Sequence, residues 1–112
     1  MDIVTSTWRP IGAYGSSGFA LSSIASTSDQ CAVHWARLDP GGRIARHPTV
    51  GWQTFVMLDG EGQVSGGDGE NVVVRAGDVV LWEPGELHET TTDHGLSAVI
   101  VETRQPPARR VE

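Results

Sequence analysis

Cysteine, basic side chains and long apolar runs are all scarce in this chain, and each shortage removes a class of protein. A single cysteine, Cys31, cannot close an internal disulfide, which fits a reducing compartment. Lys and Arg number 8 against 14 Asp and Glu, a formal net charge of −6. Nucleic-acid binders carry a basic patch or stripe. The only such cluster here is Arg109–Arg110, so no nucleic-acid partner is expected. No apolar run approaches the roughly 18 residues needed to span a bilayer. The opening residues, MDIVTSTWRPIG, have neither the basic nor the apolar region of a secretory signal. The expectation is a cytoplasmic protein with no membrane partner.

A sustained 3.6-residue period is missing as well. In its place, 14 glycines and 6 prolines punctuate short apolar segments in a chain of 112 residues, a length that suits one domain. CAVHWARL alternates, with Cys31, Val33, Trp35 and Arg37 on one face and Ala32, His34, Ala36 and Leu38 on the other. WQTFVMLDG reads as a strand ending in a glycine turn. QVS and NVVVR flank the glycine-rich connection GGDGE, a hairpin pattern. DVVLW and LSAVIVE are further strands, and FALSSIAS is an earlier one. Short strands at this spacing predict an all-β sandwich or barrel. Residues 1–29 are expected to supply an N-terminal strand or arm, 30–102 the barrel, and 103–112 a loose tail ended by adjacent prolines. Trp35, Trp52 and Trp82 fall on predicted strands, where packing is their expected role.

Two segments combine a glycine turn with a histidine: PGGRIARHPTVGWQTFVMLDG and AGDVVLWEPGELHETTT. Together they resemble the two signature motifs of the cupin superfamily, the first G-x5-H-x-H-x3-4-E-x6-G and the second G-x5-P-x-G-x2-H-x3-N. Gly41, His47 and Gly60 match the first motif, while Thr49 replaces its second histidine and Gln53 its glutamate. Gly77, Gly85 and His88 match the second. Glu83 stands at its proline, with Pro84 directly after, and Thr92 stands at its asparagine. The match covers roughly residues 30–102, with a short spacer from Glu61 to Ala76, as in small single-domain bacterial cupins. The resemblance implies a double-stranded β-helix, or jelly-roll barrel, with a pocket inside one end.

In cupins the three histidines and the glutamate of these motifs hold a metal. The resemblance therefore implies a reduced set here: His47, Gln53 and His88, with Thr49 at the vacant ligand position. Two imidazoles and an amide bring no negative charge. Such a set disfavours Mg²⁺ and Ca²⁺ and leaves Zn, Ni, Cu or Fe as candidate ions. Glu89 follows His88 directly and should point away from the pocket if His88 points in. With Gln53 inward, a period of two turns Phe55 and Met57 inward too, where they are expected to line the pocket as its apolar wall. His34, His94 and Cys31 match no motif position and are read as surface, satisfied polar or small buried residues.

Three functions compete. The first is a small-molecule-binding barrel holding a divalent transition metal through the reduced set. The second is a metal-dependent enzyme of dioxygenase, lyase or isomerase class acting on a small polar substrate. The third is a metal-free epimerase- or isomerase-like pocket using His47 or His88 as general base, since histidine ordinarily titrates near 6.5. That third reading needs a second acid–base group, and the only tyrosine is Tyr14. A homodimer is also expected, because DVVLW and LSAVIVE would otherwise expose more apolar surface than a small chain usually does.

Overall fold

The structure, a computed structural model, describes residues 1–108. Arg109 and Arg110, the basic pair, and the end of the expected tail lie outside the described residues. The strands are β1 (Arg9–Pro10), β2 (Ser17–Ser26), β3 (Ala32–Pro48), β4 (Trp52–Ser65), β5 (Val72–Arg75), β6 (Val79–Trp82), β7 (Leu87–Thr91) and β8 (Leu96–Thr103). A 3-10 turn, Ala13–Gly15, interrupts them near the start. Among the described residues no helix is long and apolar enough to cross a membrane.

Two long strands build the barrel by passing through both of its walls. The first half of β3 pairs with β2 and β8, and its second half with β7. The first half of β4 pairs with β6 and β8, and its second half with β5 and β7. Each strand must therefore bend in the middle. In β4 the register slips between Met57 and Asp59, and Gly60 follows with φ +82°. A Cβ at Gly60 would stand 2.3 Å from the Gly95 carbonyl oxygen, so only glycine allows the crossing. The strand expected to end in a turn at Gly60 instead runs on to Ser65. The glycine bends the ladder where a turn would have ended it.

Alternation places the core, with Phe55 and Met57 inward as expected from Gln53. Ala36 and Leu38 on β3, Phe55 and Met57 on β4, Trp82 on β6, and Leu96, Ala98 and Ile100 on β8 are all buried inside the barrel. Phe55 meets Trp82 edge to face, with ring centroids 5.8 Å apart. Burying a side chain of that size contributes about 1.5–3 kcal/mol. Phe19 of β2 joins the same core, so the N-terminal strand seals one side of the barrel.

Trp35 does not fill the core. It stands on the outer face, 38% exposed, with Trp8 edge-on at 4.9 Å. Its place on that face is the one alternation assigns, since it shares parity with Arg37 rather than with Leu38.

Candidate functional site

His47 lies one residue before the end of β3 and His88 one residue after the start of β7, and the two are direct cross-strand partners. A register shift between Ile44 and His47 precedes the pair and re-aims the end of β3. The two Nε2 atoms lie 3.2 Å apart. The ring of Tyr14 lies nearly parallel to His47, 9° between planes at 4.7 Å, while Trp82 packs against His88 at 4.5 Å.

Hydrogen bonding fixes the protons. His47 Nδ1 lies 2.7 Å from the Ala45 carbonyl oxygen, which can only accept, so Nδ1 carries the hydrogen. In the neutral pair His47 Nε2 is then a lone pair, and His88 Nε2–H donates to it. His88 Nδ1 is buried without a hydrogen-bond partner. Burial, followed by the neighbouring His47, lowers the His88 pKa from 6.5 to about 4, with Arg46 adding to the effect and Glu86 opposing it. His88 is thus neutral at physiological pH, the state in which an imidazole ligates a metal.

A cavity of about 150 Å³ opens beside the pair. Gln53 lines it with His47 and His88, so the structure brings the three residues of the reduced set to one place. Among the described residues, no group of three or more His, Cys, Asp or Glu is arranged to hold a metal ion. Any ion here would rest on two imidazoles and weaker donors.

Thr49 takes no part in the cavity wall. Its hydroxyl donates to the Glu83 carbonyl, its amide donates to Glu86 O at 3.0 Å, and its carbonyl accepts from Gly85 N at 2.9 Å. The residue at the vacant ligand position therefore fastens the turn that precedes His88. Thr92, at the asparagine position, donates to Glu61 O at 2.7 Å and accepts from Gly95 N at 3.0 Å.

Phe55 and Met57 point inward but do not line this cavity. Each pair of strand residues advances about 7 Å, which carries both side chains below Gln53 into the core. The apolar wall comes instead from Ile11, Phe19, Leu21, Ile44 and Ile100. Glu89 turns outward to Arg43 at 3.0 Å, as alternation from His88 predicts.

Two cavity residues escape the motif pattern. Tyr14 sits in the 3-10 turn with φ +58°, in a glycine-rich stretch that has no strand period to reveal where it points. Glu102 is the penultimate residue of β8 and the cross-strand partner of Gln53. Its signal was in the sequence, because Leu96, Ala98, Ile100 and Glu102 share one face of that strand. His34 lies 4.0 Å from Glu102. His94 is exposed, and Cys31 is a half-buried free thiol.

Solved structures share this architecture. The polyketide cyclase RemF from Streptomyces resistomycificus is similar at 18% identity, with a TM-score of 0.81 over 100% of this chain and 86% of that one. An RmlC-like cupin from Shewanella frigidimarina matches at 19% identity and TM-score 0.77, over 89% and 85% of the two chains. A predicted oxalate decarboxylase from Thermotoga maritima matches at 21% identity and TM-score 0.75, over 89% and 93%. No curated protein sequence matches the chain significantly. The sequence model of the cupin domain matches residues 34–103, well over half of the chain and spanning both histidine motifs. With the bent β3 and β4, the closed barrel and His47 facing His88 at one end, that match makes the chain a member of the cupin family.

Proposed function

We propose that this cupin binds a small molecule in the cavity beside His47 and His88, and that a divalent transition metal is held there by His47, His88 and Gln53. The observation that carries the metal is the 3.2 Å between the two Nε2 atoms. Two imidazole nitrogens about 2.0–2.1 Å from one ion, at tetrahedral or octahedral angles, stand about 2.9–3.4 Å apart. The Ala45 carbonyl already orients His47 as an outer partner of a ligand should. Bound there, the ion would supply a Lewis acid to a polar group of the ligand. The chain's own residues orient that ligand, with apolar contact from Phe19 and Ile100 and polar contact from Gln53.

Elemental analysis of tag-free wild type and His88→Ala, purified without chelator, tests the metal. Near-stoichiometric metal in the wild type and its loss in the variant is the expected result. Neither protein retaining Zn, Ni, Cu or Fe after incubation would remove the metal from the proposal.

A metal-free acid–base pocket is the second reading, and two observations favour it. His88 Nδ1 has no acceptor to support a hydrogen in the ligating tautomer, and Tyr14 supplies the second acid–base group that the sequence leaves in doubt. Hydrogen exchange at a ligand carbon that depends on both Tyr14 and His47, in metal-free protein, would select it.

We also propose a homodimer. On the outer sheet face Val79, Val56, Val99 and Trp35 form one cross-strand row, and Leu81, Thr54, Val101 and Val33 form the next. Val79 is 62% exposed. A contiguous apolar face of this kind suits a second copy of the chain.

A further inference from the structure

The walls of the cavity differ sharply in charge. Glu102 is the only carboxylate among the described residues that line it, and no lysine or arginine is among them. The nearby guanidiniums stay outside that lining. Arg46 donates to Ser65 Oγ at 3.3 Å and to Gly66 O at 3.1 Å, though its charge still acts on His88, Arg43 pairs with Glu89, and Arg104 lines an adjoining surface pocket that shares Glu102 with the cavity. Glu102 reaches the rim from β8, beside its cross-strand partner Gln53, with His34 Nε2 at 4.0 Å.

We propose that Glu102 sets the ligand class of this cavity, and that the ligand is an uncharged, single-ring molecule of phenol type whose hydroxyl donates to that carboxylate. The assignment rests on the cavity being the binding site, as proposed above. Size comes from the volume of about 150 Å³, since an apolar cavity of about 150 Å³ accepts a benzene ring. Shape and polarity come from the two sides of the wall. Phe19, Leu21, Ile44 and Ile100 face the ring, while His47, Gln53, His88 and Glu102 gather the polar groups. A hydroxyl donating to a carboxylate makes a charge-assisted hydrogen bond. A carboxylate or phosphate ligand would instead meet Glu102 with like charge and find no lysine or arginine in the wall to offset it. Because the Glu102 side chain is 46% exposed, solvent screens part of that repulsion, and the discrimination should be moderate.

The test compares resorcinol with benzoate, two single-ring probes that differ in charge, on protein as purified and again after chelation. The second condition separates attraction to a bound metal from the charge of the wall. Titrations follow the ring-proton resonances of His47 and His88, in wild type and in Glu102→Gln. After chelation, resorcinol should bind wild type about tenfold more tightly than benzoate, a gap of about 1.4 kcal/mol. In Glu102→Gln that gap should shrink to threefold or less. Benzoate binding wild type as tightly as resorcinol would overturn the assignment, and so would an unchanged ratio in the variant. If Glu102→Gln does not fold, wild type alone decides the question. High salt must narrow the ratio if a half-exposed charge sets it, and a salt-independent ratio overturns the proposal. Neither probe moving the histidine resonances would overturn the cavity as a binding site and this assignment with it, a silence distinct from binding with the wrong preference.

Discussion

At the scale of single residues, His88 ties stability to pH. Its folded pKa of about 4 lies below the ordinary 6.5. Between those values the unfolded chain binds more protons than the folded one. The neutral imidazole's contribution is therefore complete above about pH 6.5, and it is lost as pH falls toward 4. The slope approaches ~1.4 kcal/mol per pH unit. Urea unfolding of metal-stripped protein between pH 7.5 and 4.5 should show this loss, and His88→Gln should flatten it. An equal slope in the variant would assign the effect to other groups. Thr49 provides a second residue-scale test. Thr49→Val keeps the shape but leaves the Glu83 carbonyl without its hydroxyl donor, which should cost about 1–3 kcal/mol. Metal content should not change, because that hydroxyl is already committed. A drop in metal with unchanged stability would make Thr49 a ligand after all.

Among the elements, the turn before β7 and the β4–β5 hairpin are latched by one carboxylate. Glu86 accepts from Glu83 N at 3.0 Å through one oxygen and from Gly67 N at 2.9 Å through the other. Glu86→Ala should raise amide exchange at both nitrogens and destabilise the fold by about 1–3 kcal/mol. Protection unchanged at Gly67 would show that the hairpin holds itself. Gly60→Ala should be worse, because it combines a positive φ with a backbone clash. These contacts also mark the limit of what the sequence reveals. Alternation told which side chains of β4 face inward and which of β3 share a face, because one buried wall enforces a period of two. It could not tell that β4 bends at Gly60 and continues, since a bend and a turn ask for the same residue. The motif spacing pointed to His47, Gln53 and His88, and all three line one cavity. Tyr14 was illegible because its position depends on where a short glycine-rich turn docks, a tertiary fact with no local period.

For the whole molecule, the fold leaves one apolar sheet face outside the barrel while it fills the inside. Sedimentation at micromolar concentration should give twice the chain mass, and Val99→Lys, at the centre of the outer row, should give a monomer with its secondary structure intact. A monomeric wild type would contradict the dimer. Inside, Trp82 is 3% exposed, with its indole N–H on Ser65 O at 3.2 Å and its ring against His88. Trp8, Trp35 and Trp52 are only partly covered. The four indoles should therefore divide optically, with the blue-shifted emission expected from Trp82 and iodide in solution expected to silence the others first. An imidazolium or a transition ion quenches an adjacent indole, so what remains under iodide should report on His88, against which Trp82 packs. The barrel carries its own lamp beside the histidine pair.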